Sequence, residues 1–138
     1  MACFDKALAI KPNHADALFN RGATLHNLQR FEEAVSSYDQ ALAVKPDHAE
    51  ALINRGETLH SLQRFEEAVS SYDQALAVKP DYAEALNHRS NALYNLRRFE
   101  QALASSDKAL AVKPNHAEAL FNRGQCSARD ELLARGCE

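Results

Sequence analysis

Apolar residues recur every three or four positions along most of this chain, in stretches of 14 residues parted by short polar breaks. In ADALFNRGATLHNL the positions Ala17, Leu18, Arg21, Gly22, Leu25 and Leu28 share one side of a 3.6-residue helix. The next stretch, FEEAVSSYDQALAV, does the same through Phe31, Ala34, Val35, Tyr38, Ala41 and Leu42. Only Gln29 and Arg30 separate the two stretches, a break short enough to fold the helices antiparallel. A proline follows each second stretch and ends it, because the ring lacks the amide that helix continuation needs and disfavours αR in the residue before it.

This two-helix pattern repeats. Pro12, Pro46, Pro80 and Pro114 are 34 residues apart, and so are Arg21, Arg55, Arg89 and Arg123, and Asp5, Asp39, Asp73 and Asp107. Segments 15–48 and 49–82 agree at 29 of 34 positions, so an internal repeat decides the fold. The reading is an all-α, right-handed solenoid of antiparallel helix pairs, about eight helices in one array. Residues 1–14 form the second helix of a partial repeat, 15–48, 49–82 and 83–116 are complete repeats, and 117–138 is a further first helix running into a C-terminal cap. Leu132 and Leu133 would lengthen that helix over the exposed end face. The half-repeat start suggests a fragment of a longer array, or a shortened natural product.

Helix starts carry their own signal. Asp47 precedes Glu50 by three residues and Asp81 precedes Glu84, with Asn13–Asp16 and Asn115–Glu118 as variants. A short polar side chain there can cap a free amide while the acid sits in the positive first turn.

These residues resemble the tetratricopeptide repeat family over residues 1–128. The family places small residues where the two helices cross closely, and here those positions hold Gly22, Ala34 and Ala41, then Gly56, Ala68 and Ala75, then Ser90, Ala102 and Ala109. Tyr38 and Tyr72 match its aromatic between the helices, and Phe31, Phe65 and Phe99 enter the second helices. Gln29, Gln63 and Arg97 stand where the family has a turn glycine, which implies some backbone strain. Ser90 and Ser106 replace the glycine and the aromatic in the third repeat, which implies looser packing there. The resemblance implies a scaffold that binds a protein segment in its concave groove, not an enzyme.

Comparing the copies locates that groove. The two near-identical repeats differ at Asp16/Glu50, Phe19/Ile53, Ala23/Glu57, Asn27/Ser61 and His48/Tyr82. The first four lie three, four and four residues apart, on one face of the first helix. In the family this face lines the groove; a surface tuned apart from its scaffold and neutral drift at exposed positions both give this pattern. Beside it lie Asn20, Asn54, His88 and Asn122, joined in the third repeat by Asn87, Asn91 and Asn95. An amide both donates and accepts, so a row of them can pair with a peptide backbone. Such a row is similar to that of the tetratricopeptide region of O-linked N-acetylglucosamine transferases, though Asn is also common at this position in the family. Phe19, Ile53 and Phe121 would add apolar contacts. The candidate groove is therefore Asp16, Phe19, Asn20, Glu50, Ile53, Asn54, Glu57, Glu84, Asn87, His88, Asn91, Phe121 and Asn122. Members that clamp a chaperone's terminal carboxylate use groove Lys and Arg; here Phe19, Ile53, Asn87 and Glu84 stand there instead, so a neutral or basic segment is the expected partner.

The Arg and Asp series fit each other. Each Asp is expected to pair with the next Arg along the chain, as Asp5–Arg21, Asp39–Arg55, Asp73–Arg89 and Asp107–Arg123, holding adjacent repeats in register with the Arg stems packed as hydrocarbon. A row of anion-binding arginines is the functional rival.

The remaining chemistry is sparse. His14, His48 and His116 recur between repeats and His26 and His60 on a groove helix; helices about 8–10 Å apart keep such copies from sharing one metal shell. No HExxH, phosphate loop or GxSxG occurs, so no metal, cofactor or catalytic residue is expected. Ser36-Ser37 and Ser70-Ser71 read as solvated helix positions, and Cys126 and Cys137 as ordinary thiols. A net charge of −3 argues against nucleic acid, and no stretch is long and apolar enough for a membrane. Asp5 and Lys6 interrupt any export signal, and three unmatched cysteines suit a reduced cytoplasm. Two rival roles remain open: the recognition arm of a larger enzyme such as a glycosyltransferase, and a self-assembly element stacking through its end helices.

Overall fold

The computed structural model describes residues 15–134. Within them the chain is helical: α1 Ala15–Asn27, α2 Phe31–Val44, α3 Ala49–Ser61, α4 Phe65–Val78, α5 Ala83–Asn95, α6 Phe99–Val112 and α7 Ala117–Ala134. Consecutive helices pack against each other, so α1/α2, α3/α4 and α5/α6 are antiparallel pairs that stack as a right-handed solenoid, with α7 laid on α6. The odd-numbered helices form the concave layer and the even-numbered ones the convex layer. The partial helix expected at 1–14, with Cys3, Asp5 and the Asp5–Arg21 pair, lies outside the described residues, as does Cys137.

Each pair is held by a ring resting on a glycine. A Cβ on Gly22 would lie 2.6 Å from Cε1 of Tyr38, and Gly56 meets Tyr72 in the same way. Both tyrosines are buried, with Ala34 and Ala41 or Ala68 and Ala75 completing the close crossing. The third pair solves the same contact differently. Ser90 and Ser106 are fully buried, 2.6 Å apart through their hydroxyls, and Ser90 also donates to the Ala102 carbonyl at 2.9 Å. Buried Cys126 on α7 lies 4.0 Å away, so the smaller pair is sealed with polar contacts rather than loosened as expected.

A second tie runs from helix to helix. Ser37, Ser71 and Ser105 are buried and donate to the carbonyls of Leu18, Leu52 and Leu86 at 2.7–2.8 Å. Reading the serine pairs as solvated therefore holds for Ser36 and Ser70, which are exposed, but not for Ser37 and Ser71. The polar hydroxyl misled: it reaches a carbonyl on the partner helix, which makes burial tolerable. Leu28 departs the other way. It is 57% exposed, whereas its counterparts Leu62 and Leu96 pack on the main core.

The turns explain themselves through hydrogen bonding. Gln29, Gln63 and Arg97 all take φ of 61°. After α1, Gln29 N–H donates to His26 and Arg30 N–H to Leu25, both at 2.9 Å, the two bonds of a Schellman closure. This is the strain expected from the missing turn glycine. Helix starts differ from expectation by one residue. His48, not Asp47, is the cap of α3, its Nδ1 accepting from the Ala51 amide at 3.2 Å; Tyr82 caps α5 in place of Asp81 and without a side-chain bond. His116 repeats the histidine cap at 3.4 Å to Ala119 N. The Lys45-Pro46 stop sets the shift: Lys45 is extended and a turn bond from His48 N–H to its carbonyl places His48, not Asp47, at the first free amides.

The predicted inter-repeat pairs form at Asp39–Arg55 and Asp73–Arg89, each 2.6 Å, and Asp107–Arg123, 2.7 Å. Arg55 keeps 22% of its side-chain surface, so its stem is packed, while Arg123 keeps 55%. Arg98 adds a further link to Glu66 of the preceding pair at 2.9 Å.

Two outcomes follow for stability. Gln29→Gly and Gln63→Gly should each raise stability by about 0.5–1 kcal/mol, because glycine relieves the positive φ at some cost in unfolded-chain entropy. Urea midpoints check this, and a double variant no more resistant than the parent refutes it. Gly56→Ser should lose about 1–3 kcal/mol by overpacking against Tyr72. Combined with Tyr72→Ser, the loss should fall short of the sum of the two single losses; strict additivity would mean the ring and the glycine do not set the crossing.

Candidate functional site

Among the described residues, three concavities of the concave layer share walls. The first, about 140 Å³, lies between α1 and α3 and is lined by Ala23, His26, Asn27, Tyr38, Asn54 and Glu57. The second, about 240 Å³, takes in His26, Glu57, His60, Ser61, Tyr72, His88 and Asn91. The third, about 470 Å³, lies between α5 and α7 among His88, Asn91, Ala117, Glu118, Phe121 and Asn122. Shared residues at each junction make them one track across the helix stack.

Of the candidate residues, Asn54, Glu57, His88, Asn91, Phe121 and Asn122 line this track. Asp16, Asn20, Glu50 and Glu84 are exposed but lie outside the concavities. Phe19 is half-buried under His48 and Tyr38, with ring centroids 5.0 and 6.0 Å away. Ile53 and Asn87 are buried, so neither offers the outward contact expected of it. Their position points between neighbouring helices, where an apolar side chain serves as packing.

The amide row is likewise partly engaged. Asn122 donates to Asn87 at 2.6 Å, Asn87 donates to Glu118 at 2.9 Å, and Asn95 lies 3.5 Å from His60 Nε2. These bonds cross from one concave helix to the next, as does His26 Nδ1 to Thr58 at 2.8 Å. Much of the row therefore ties the solenoid together. Asn54 sits with Thr58 at the buried Tyr38 hydroxyl; burial, with the Glu57 charge, pushes that phenol up to about 12 although both side chains oppose it. Asn20 and Asn91 form no side-chain bond of their own among the described residues beyond Asn91's carbonyl contact with Asn95.

Four further wall residues stand outside the candidate groove set: His26 and His60, which the repeat places on a groove helix, and Tyr38 and Tyr72. The repeat pattern gives the tyrosines a packing role, which they fill, yet each ring also closes the floor of a concavity. His26 and His60 stand edge-on to Phe31 and Phe65, 5.1 and 4.9 Å between centroids. Their signal was the next step of the variable stripe, since His26 and His60 neighbour Asn27 and Ser61. Among the described residues no group of three His, Cys, Asp or Glu is placed to hold a metal ion.

Glu57 is the electrostatic centre. His88 Nε2 lies 2.9 Å from its carboxylate, over the Tyr72 ring at 5.9 Å. That hydrogen bond lowers the Glu57 pKa against the effect of burial, helped by the charges of His88, His26 and His60. Burial alone would lower His88, but the Glu57 bond and the charges of Glu57, Glu118 and Glu84 outweigh it and raise the imidazole. His60 moves down, first through burial and then through His88, against Glu57. The raised His88 contributes fully below 6.5 and fades as pH climbs through its higher value. The lowered Glu57 contributes fully above 4.5 and fades as pH falls through its lower value. The pair thus holds α3 to α5 best between 4.5 and 6.5. Below 6.5, protonating the depressed His60 works against the fold.

Glu57→Gln should therefore lower the His88 pKa, which an NMR pH titration of the imidazole reads directly. An unmoved titration would show that the pair does not form.

A family model described as tetratricopeptide repeat matches residues 13–81, and a second with the same description matches 61–105 and 87–136. No curated protein is detectably similar in sequence. Solved structures share the fold. The first TPR of Spaghetti (RPAP3) bound to the HSP90 peptide SRMEEVD is 24% identical, TM-score 0.80, over 83% of this chain and 90% of that one. The Sgt2 TPR domain from Aspergillus fumigatus is 21% identical, TM-score 0.85, over 91% and 84%. The second TPR domain of human RPAP3, in complex with the HSP70 peptide SGPTIEEVD, is 22% identical, TM-score 0.80, over 83% and 95%.

Proposed function

This chain belongs to the tetratricopeptide repeat family, and from that premise we propose that its concave track binds an extended segment of another protein, as a non-catalytic interaction scaffold. The observation that carries the reading is continuity: three concavities joined by shared walls follow the helix stack without a break. An extended strand rises about 3.3 Å per residue, so roughly three residues span the 8–10 Å between stacked helices. One side chain in each such interval would then meet a concavity. Structural neighbours hold peptides, SRMEEVD in one and SGPTIEEVD in another.

The partner here is neutral or basic rather than acid-tailed. Glu57 and Glu118 line the track, and no Lys or Arg stands among the residues lining its three concavities. Tyr82, near the same edge, is raised by burial and then by the charges of Glu84, Glu50 and Glu57, which marks a negative field along this side. Asn91, half-buried and central to two of the three concavities, is the natural contact for a peptide backbone.

A displayed library of random nine-residue peptides tests this. The chain should enrich a family of sequences, and Asn91→Trp, which fills the track, should weaken synthetic versions about tenfold or more. Gln40→Trp, on the exposed convex side of α2, should leave them unchanged. Equal loss with both variants, or loss only with the second, would place binding elsewhere.

A further inference from the structure

One polar residue at the interface between α5 and α7 stands where the two earlier repeats carry an apolar one. At one repeat position of the concave helices the chain has Phe19, Ile53, Asn87 and Phe121, of which Ile53 and Asn87 are buried against the next helix, Phe19 is half-buried and Phe121 is exposed. Asn87 is the polar exception, and it is 1% exposed. A buried amide is costly unless both its ends are bonded. Here they are: its carbonyl accepts from Asn122 at 2.6 Å and its NH₂ donates to Glu118 at 2.9 Å.

The consequence falls on Glu118. The matching acids, Asp16, Glu50 and Glu84, occupy the same first-turn position, but Phe19 and Ile53 have no group with which to hold the acid of the following helix. Asn87 has one. It bonds the carboxylate of Glu118, itself an exposed residue, and of these four acids Glu118 is the one that lines any of the three concavities. One of its oxygens takes the Asn87 bond, and among the described residues no Lys, Arg or His lies within ion-pair distance of it. Beside it stands Phe121, 66% exposed, a ring face suited to a cation.

We propose that the concavity between α5 and α7 is a subsite for one lysine or arginine side chain of the bound segment, its charge met by Glu118 and its stem by Phe121. Asn87 acts as the positioning residue, through Glu118, and Asn122 fixes the orientation of Asn87: the reversed amide would aim a carbonyl at the carboxylate. A packing role alone would be served better by Ile or Phe, as at the equivalent positions. The neighbouring His88 turns its Nε2 to Glu57 and makes no ion pair with Glu118, whose charge reaches the imidazole only through space. The cavity of about 470 Å³ has room for a basic side chain and the backbone that bears it.

This subsite rests on the peptide-binding reading, and the same nine-residue random library separates the two. Selected on the parent chain, the peptides should show one position enriched in Lys and Arg about fivefold over the unselected library, the size expected of one partly exposed charge pair. Selection on Glu118→Gln should return that position to library frequency while the preferences at other positions persist. Asn87→Ile, which installs the residue of the second repeat, should do the same with helicity unchanged, and the retained preferences at other positions show that the groove itself is intact. Enrichment without a basic position, or a basic position indifferent to Glu118→Gln, overturns the subsite and leaves groove binding standing. No enrichment on the parent chain overturns both.

Discussion

The spacing of the helix pair is the constraint on which the rest depends. A tyrosine ring can lie on the partner helix only where that helix has no Cβ, so Gly22 with Tyr38 and Gly56 with Tyr72 set how closely the two backbones approach. At that spacing Ser37 and Ser71 reach a carbonyl on the opposite helix, and Ser105 does the same in the third pair, where Ser90 and Ser106 make the close contact. It also brings the tyrosine hydroxyl edge through to the concave side, where the Tyr38 and Tyr72 rings close the floors of two concavities. Packing and groove are therefore one construction. A change at the glycine would be felt in the shape of the site.

The repeat made most of this visible in the sequence. A 34-residue period with small residues, aromatics and prolines in phase specifies helices, their order and their close crossings, because each repeat must bury its face on the next. The Asp–Arg links were legible for the same reason: two series with one period and a constant offset imply a contact made at every junction, and three of the four lie among the described residues. What periodicity reveals is whatever every copy must do alike.

What it conceals is the partner each polar side chain finds across the fold, whether that partner differs between copies, as for Asn87, or recurs in all of them, as for Ser37. Asn87 looked like one more groove amide; only the distances to Asn122 and Glu118 show it buried and bonded. Ser37 looked solvated because hydroxyls usually are, and the carbonyl that satisfies it is 19 residues away. The helix cap slipped from Asp47 to His48 because composition ranks Asp above His as a cap, whereas the proline stop and the bond from His48 to Lys45 decide which residue meets the free amides. In each case the propensity was sound and the tertiary partner overruled it.

The concave side consequently serves two demands that compete for the same atoms. Stacked helices need cross-links, and His26–Thr58, Glu57–His88, Asn87–Asn122 and Asn95–His60 supply them. A ligand needs polar groups left unengaged. The chain meets both by dividing labour among its repeats as well as along each helix: Glu57 bonds across its junction to His88, while Asn91, its counterpart one repeat on, and the second oxygen of Glu118 stay open to the track among the described residues. Glu57 shows the cost of mixing the roles. It lines the groove, but His88 holds it, so its charge is partly answered before any partner arrives. Glu118 differs: among the described residues its one hydrogen-bond partner is the neutral Asn87 amide, which is why the proposed cation subsite is placed there.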